Sequence, residues 1–563
     1  MILAEKALIW SQRSPLFASP NTGYCSQLPH VSTFYRPKRM DIQKKQYLCT
    51  RKQENIPIMS TATLSNLLVS LYGNQQGRKR KMNRVLWLAV AFMAFCIMAC
   101  DDSKDAPAAQ PVTTMSLTVY GESYVIDLTR TDTVNLRTLT VEFPTQFKIE
   151  NPSQFTKLTI GGKEVQDGEC SLQIDTISSR HQIEICFMLE GMQHKILLNT
   201  LHKSIPGIKT SGTATSPGDF YLSYVYIPLI EKVDNKGRLL FYRCEPLKGL
   251  GSGSSGLWDF KKHRAADGKI YYSYHEPDDN YASWRFNGFN PGKRIIMDAS
   301  YHRIKEIQLE ASKGIKKGFP ADGHDFYMFT PDHYILMSYI DRDTVINDCD
   351  TVLKSAYFQE VQDGDVKFDW WSIGHGELAE MTDPCFATTA GKDYVHMNSI
   401  DVLPDGNLLC SFRHISSVLA VDRKGKTGKI LWCLKGADND GSYSFHGQHS
   451  VRYHEKDNTI TLFNNGNGTG HTQMLRLHVD INTGKVLESN ILLDDGYYSQ
   501  ACGALSFSGD NMIAGWGIPG DSIDNSRVLT EYDASGNPVF SISRTSNSTM
   551  NSALSTYRSV KCE

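Results

Sequence analysis

The sequence predicts an all-β protein, a six-bladed β-propeller preceded by a small N-terminal β-sandwich. Short alternating apolar segments separated by turn residues fill residues 112–200. From about residue 205 the chain repeats itself, and tight Asp/Asn-Gly turns stand ahead of apolar strands. With 40% apolar and 21% charged residues over 563 positions, it is neither a disordered tail nor a multispan membrane protein.

The elements follow in chain order. Residues 1–84 hold 14 Lys/Arg against three Asp/Glu, which leaves 45 basic against 58 acidic residues for the remainder. The formal charge of −2 thus averages a basic leader with an acidic body. An acidic body argues against a nucleic-acid partner, since the phosphate backbone rewards clustered Lys/Arg. Val85–Ile97 is an apolar run behind Arg78, Lys79, Arg80, Lys81 and Arg84. This is the layout of a signal-peptide core, and it is short for a membrane-spanning helix. It ends in Ile97-Met98-Ala99-Cys100, similar to a bacterial lipobox in which Cys100 is lipidated and becomes the mature N-terminus. The alternative is an uncleaved anchor helix. A leader starting near residue 78 implies that the true start is Met82. Residues 1–81 are then a non-native extension, 82–99 the lipoprotein signal peptide and 100–111 a solvated tether.

Residues 112–204 are expected to form the β-sandwich. Ser116–Tyr120, Thr138–Phe143, Lys157–Ile160 and Gln182–Leu189 alternate, and Gly161-Gly162 and Asp167-Gly168 turn between them. Nine cysteines follow Cys100, an odd number with irregular spacing and no CxxC. A disulfide framework or zinc ribbon is therefore poorly supported, although an exported chain has access to disulfides.

Residues 205–563 are expected to form the propeller. Apolar-Asp-x-x-Gly-x-apolar units occur at Val233-Asp234, Val421-Asp422, Val479-Asp480 and Tyr532-Asp533, with looser copies at Met297-Asp298 and Asp363-Gly364-Asp365. Other turns, at Asp267-Gly268, Asp405-Gly406, Asp457-Asn458 and Gly509-Asp510-Asn511, precede the strands. Six copies imply six four-stranded blades whose radial repetition protects their edges. A β-helix is the structural rival, with far shorter rungs.

A propeller's function lies at its axis, so functional side chains should recur at one position of the repeat. Thirteen of the 17 histidines fall between His263 and His478. His324, His396, His446 and His449 stand about 8–12 residues before the turn of their repeat. Asn398 follows His396 by two, which puts both on one face of a regular strand. Arg413 lies on the next strand. His, Asn and Arg without an obvious carboxylate partner suit a tetrahedral oxyanion, which Arg grips with a planar fork of donors. The same set would also bind sulfate or phosphate without chemistry. His396, His446 and His449 are the candidate zinc ligands, but no HExxH or compact His/Asp spacing is present. G-x-S-x-G and the P-loop are absent too. No cofactor and no metal are expected.

The segments DGHDF, HMNSIDVLPDGN, FRH, GQHSVRY, ITLFNNG and SRVLTEYDASGNPVF, in this order, resemble the bacterial arylsulfotransferases over about residues 205–563. The resemblance implies a nucleotide-independent enzyme that moves a sulfuryl group from an aryl sulfate donor to a phenolic acceptor, by a ping-pong route through a sulfohistidine. It makes His449, in Gln448-His449, the nucleophile, and puts His324, His396, Asn398 and Arg413 at the other catalytic positions. The chain departs from the family pattern at Gly323, where relatives often carry a second His, and at Ser450, where Asp is frequent. His446 is the alternative nucleophile, since residues three apart point to opposite faces of a regular strand. The expected location is periplasmic or at the outer membrane or cell surface of a Gram-negative-type bacterium, on a lipid anchor. A homodimer stays open. The competing function is a non-catalytic surface propeller that binds glycans or anionic ligands through aromatic stretches such as Tyr271–Trp284 and Trp370-Trp371.

Overall fold

The structure, a computed structural model, describes residues 111–202, 205, 207–245, 256–281, 283, 288–346, 349–381, 392–437, 440–520, 527–544 and 555–563. The N-terminal extension 1–81, the signal peptide 82–99, Cys100, the tether up to residue 110 and Trp284 lie outside the described residues. The described chain is all-β. Its helical elements are one short helix, Gly376–Glu380, and 3-10 turns at Pro152–Gln154 and at residues 279–281 and 283.

Residues 114–199 form two sheets, except that Thr138–Thr140, expected in the sandwich, pairs antiparallel with Leu239–Cys244 instead. One has the order Glu122–Asp127, Thr114–Val119, Thr145–Ile149, Glu169–Leu172. The other runs Thr133–Asn135, Met192–Asn199, Gln182–Leu189, Thr156–Ile160, Lys163–Glu164. Alternation does the sorting: along Gln182–Leu189 the residues Ile183, Ile185, Phe187 and Leu189 point inward. Leu117, Phe147 and Ile149 of the first sheet join them in one core. The Gly161-Gly162 and Asp167-Gly168 turns have positive φ at both residues, the backbone that suits two-residue hairpins.

Among the described residues of 208–562 are six antiparallel sheets, each with four strands consecutive in space, and a two-stranded pair of Ser499–Ala501 and Ile518–Pro519. In chain order the six sheets are anchored by Asp219–Tyr224, Trp258–Arg264, Phe326–Thr330, Met397–Val402, His449–His454 and Ala504–Ser508. In the first sheet the leading position is taken by Thr556–Cys562, which pairs antiparallel with Asp219–Tyr224. Neighbouring sheets share apolar clusters: Phe241 with Tyr272, Ile296 with Leu336, Met337 with Cys410, Leu409 with Leu462, Phe463 with Leu505. The sixth sheet returns to the first through Leu529 and Leu222. The arrangement is propeller-like.

All six repeated Asp units fall at the turn between the third and fourth strand of a sheet. Asp234 Oδ1 accepts from the backbone of Lys236 (2.9 Å) and Arg238 (2.8 Å), and Asp533 Oδ1 accepts from Ser535 and Asn537 (both 2.9 Å). Asp298, Asp422 and Asp480 cap their turns in the same way. The Asp recurs because its side chain supplies an acceptor that the turn backbone lacks.

The leading strands meet over a buried charge cluster. Asp325, just before Phe326–Thr330, accepts from Lys261 Nζ (2.7 Å) and Arg558 Nη1 (3.0 Å) on Oδ1. Its Oδ2 accepts from Arg452 Nη2 (2.8 Å) and Ile400 N (3.0 Å). Asp259 adds ion pairs to Arg294 (2.9 Å), Lys261 (3.1 Å) and Arg558. Burial pushes the Asp325 carboxyl up, and Arg452, Lys261 and Arg558 outweigh it, holding it well below the ordinary carboxylate range. Three leading strands are irregular at this depth, with bulges at Trp258/Lys261, Met397/Ser399 and His449/Arg452.

Asp325→Asn is expected to lower the unfolding free energy by about 3–5 kcal/mol, because it leaves buried cations without their counter-charge. The deficit should be constant from pH 8 down to the unfolded carboxyl value. Below that it should narrow progressively, as the unfolded chain takes up a proton that the folded carboxylate refuses, and level off beneath the depressed folded value. Urea unfolding of both proteins at several pH values measures it, and a deficit below 1 kcal/mol would dismiss the cluster as a stabilising hub.

Candidate active site

His324, His396 and His449 occupy matching places at the starts of three consecutive leading strands: two residues before Phe326–Thr330, one before Met397–Val402, and the first residue of His449–His454. All three are buried. The rings of His324 and His396 meet edge to face, with centroids 4.8 Å apart. His449 lies within electrostatic reach of Arg413, His396 and His324. The structure therefore brings the three predicted histidines together.

Each ring is held at Nδ1. The Asp322 carboxylate accepts from the His324 backbone N (3.0 Å) and contacts its Nδ1. Asp393 accepts from the His396 backbone N (2.9 Å) and contacts its Nδ1. His449 Nδ1 lies 2.7 Å from Asn465 Oδ1. The sequence-based expectation that the cluster lacks carboxylate partners is thus corrected. Asp322 stands two residues before His324 and Asp393 three before His396, so both were visible as short Asp-x(1–2)-His spacings. Asn465 comes from the next strand's end, and no local spacing announces it.

Asn398 and Arg413 reach the region by different routes. Asn398 Nδ2 donates to Gln448 O (2.7 Å), and its buried Oδ1 has no partner in the protein. The simple alternation expected to align His396 with Asn398 does not hold, because His396 has φ 52° and a bulge follows at Met397/Ser399. Arg413 follows the strand Leu408–Phe412 rather than lying within it. Its backbone N donates to His396 O (2.8 Å) and its Nη2 to Gln500 O (3.3 Å). Gln448 Nε2 donates to Ser411 Oγ, Phe412 O and Ser417 O, which fastens the start of the fifth sheet to the fourth.

His446 is placed apart. It lies in the loop before the strand rather than on it, with Nε2 3.2 Å from Ser444 Oγ. The opposite-face argument for the pair therefore falls away. His414, not singled out from the sequence, has its ring 4.7 Å from that of His396 and its Nδ1 3.0 Å from Asp393 O. Asp393, His396 and His414 bring potential metal-ligand atoms within 4.8 Å of one another. Both imidazole Nδ1 atoms are engaged by Asp393.

The walls are aromatic. Trp258 and Tyr557 stack at 4.3 Å, and the His324 ring stands nearly perpendicular to both, with centroids at 5.4 and 5.8 Å. Tyr557 Oη donates to His324 O (2.5 Å). Tyr339 lies 5.7 Å from His324 and 5.8 Å from His396. In such a site charge on the His396 and His449 rings is disfavoured. Burial, followed by His414, His324 and Arg413, holds His396 well below the ordinary imidazole value. Burial and then Arg413 do the same to His449. Burial also raises Asp393. By contrast, Tyr271 and Trp370 of the aromatic stretches belong to the cores between sheets.

Gly323 has a local reason: a Cβ there would meet His275 Cδ2 at 2.9 Å and Trp258 Cε3 at 3.1 Å. His275, itself buried, takes the space a larger residue 323 would need.

Solved structures similar to this chain include a protein of unknown function from Bacteroides caccae, 11% identical, covering 61% of this chain and 98% of its own, at a TM-score of 0.37. Another is virginiamycin B lyase from Staphylococcus aureus, also 11% identical, covering 72% of this chain and 98% of its own, at a TM-score of 0.29. No curated protein matches the chain. Residues 281–545 match the family described as Arylsulfotransferase (ASST). That span holds His324, His396, Asn398, Arg413 and His449, and the match supports membership of the arylsulfotransferase family.

Proposed function

We propose that this protein transfers a sulfuryl group from an aryl sulfate ester to a phenol, without a nucleotide donor, through a sulfohistidine on His449. The observation that carries the reading is the convergence of His324, His396 and His449 from matching positions of three sheets, inside the family match. The six sheets of residues 205–563 are read as the blades of one propeller, and residues 112–204 as its accessory sandwich. Residues 1–81 are read as an extension outside the natural protein. Residues 82–99 are the signal peptide and 100–111 the tether, with Cys100 carrying the lipid that holds the enzyme at a membrane outside the cytoplasm.

In the first half-reaction a neutral His449 nitrogen attacks sulfur. The S–N bond forms as the S–O bond to the arene breaks, and the aryl oxide leaves with the bonding pair. Arg413 balances charge building on the sulfuryl oxygens, and the free hydrogen of the Asn398 amide adds a donor. The aryl oxide leaves as its anion and takes a proton from solvent, and His324 or His396, each contacted by a carboxylate, later takes the proton of the incoming phenol. The phenol oxygen then bonds to sulfur as the S–N bond breaks. Aryl esters suit this route because phenolate is a far better leaving group than alkoxide.

With 4-nitrophenyl sulfate and phenol, wild-type protein is expected to release nitrophenol in an acceptor-dependent way, and a His449 peptide should carry one added sulfuryl group. His449→Ala should lose on the order of 10³-fold or more of this activity. Release that survives the substitution would move the nucleophile elsewhere, and no release with any phenol would favour a binding protein.

The pH profile gives a second check. Because burial and Arg413 hold His449 below the usual imidazole value, it stays neutral as pH falls through 6.5. Single-turnover aryl release should therefore persist nearly unchanged at pH 5, where an ordinary imidazole would lose roughly thirtyfold. A fall of that size would contradict the assignment. For the anchor, Cys100→Ser should shift the protein from the membrane to the soluble fraction, and unchanged fractionation would argue against lipidation.

A further inference from the structure

Asn465 directly follows the strand Thr459–Asn464 and is buried. Its Nδ2 donates to Ser499 O (2.7 Å) and Cys502 O (3.0 Å). Carbonyl oxygens only accept, so both hydrogens of this amide are committed and its orientation is dictated by the backbone around it. The Thr472 hydroxyl secures the same loop: it accepts from Ser499 N (2.8 Å) and lies 3.2 Å from Asn465 O. With the NH₂ turned toward two carbonyls, Oδ1 is what faces His449 Nδ1 at 2.7 Å. An amide oxygen cannot donate, so the shared hydrogen must sit on the imidazole. A neutral imidazole protonated at Nδ1 carries its lone pair on Nε2.

We propose that Asn465 is a positioning residue that locks His449 as the Nδ1–H tautomer and leaves Nε2 as the nitrogen that takes the sulfuryl group. The role of Nε2 rests on the sulfohistidine reading above, whereas the tautomer lock stands on geometry alone. The neutral amide matters as well as its position. His324 and His396 are contacted at Nδ1 by carboxylates, whereas His449 meets an amide oxygen. An amide behind His449 fixes the tautomer without adding negative charge. When Nε2 bonds to sulfur the Nδ1 hydrogen becomes more acidic, and an amide oxygen holds it without removing it. The sulfated ring then stays cationic, so in the second step the N–S bonding pair returns to an imidazole that is neutral as it leaves. A carboxylate in this place would draw the proton off and make the ring a poorer sulfuryl donor.

The test is the tautomer of His449 in ¹⁵N-histidine-labelled full-length protein, read from long-range ¹H–¹⁵N correlations and assigned by loss of the signal in His449→Gln. The wild type is expected to show Nδ1–H with an unprotonated Nε2, and Asn465→Ala to show a mixture or mainly Nε2–H. Single-turnover aryl release should fall at least about tenfold in Asn465→Ala. An Nε2–H signal in the wild type overturns the proposal, as does an unchanged tautomer and release rate in the variant. Should Asn465→Ala fail to fold, the wild-type spectrum still decides. An Nδ1–H signal in a protein that releases no aryl oxide would uphold the lock while removing the transferase reading.

Discussion

One buried carboxylate organises this molecule. Asp325 belongs to the lead-in of the third sheet, yet it is bound by Arg558 from the first, Lys261 from the second, a backbone N–H of Ile400 from the fourth and Arg452 from the fifth. An anion at this depth is costly by itself, since it forfeits hydration that the protein must replace. Here three cations and two backbone donors replace it, Phe326 N (2.9 Å) being the second. The cations are equally dependent, so none of the five sheets can retract its leading strand without exposing an unpaired charge to the interior. Apolar packing between sheets tolerates sliding more readily than such fixed geometry.

The histidine cluster inherits its precision from that arrangement. His324 is the neighbour of Asp325, His449 sits three residues before Arg452, and His396 four before Ile400. Each imidazole is therefore tethered within a few residues of a ligand of the same carboxylate. The bulges at Met397/Ser399 and His449/Arg452 let one strand serve two purposes, presenting a polar ligand to the hub and a ring to the site within a short stretch. Ser450 and His396 both have positive φ there, at 53° and 52°. Strain of this kind persists where surrounding contacts over-determine it.

The repeat was readable because its cause is local. The turn Asp at 234, 298, 422, 480 and 533 bonds its own neighbours, so it reappears where a third strand passes to a fourth, and Asp363 stands at the sixth such turn. The recurrence of histidines at the strand starts was visible for the same reason. What escaped was set by contacts distant in sequence. Asn465 reaches His449 from 16 positions away, and its orientation is fixed by residues 34 and 37 positions further on. The bulges also defeated parity: counting in twos placed Asn398 beside His396 and His446 opposite His449, but the strand is irregular at the first pair and has not begun at the second. Asp322 and Asp393 were in plain sight, and were passed over because attention went to residues that bind anions rather than to those that orient the binders.

The pairing of Asp219–Tyr224 with Thr556–Cys562 has a consequence in time. Ser223 Oγ donates to Arg558 O across 335 positions. Delivered N-terminus first, by the ribosome or through the export machinery, the chain presents Asp219–Tyr224 for an interval before Thr556–Cys562 arrives. Throughout that interval the first sheet has an uncapped margin of backbone donors and acceptors, and Asp325 lacks Arg558. Such a margin is open to pairing with the same margin on another nascent copy. Quality control therefore has a late and sharply defined checkpoint: until the closing strand arrives, a chain with most of its sheets made is still a target for holding factors and proteases.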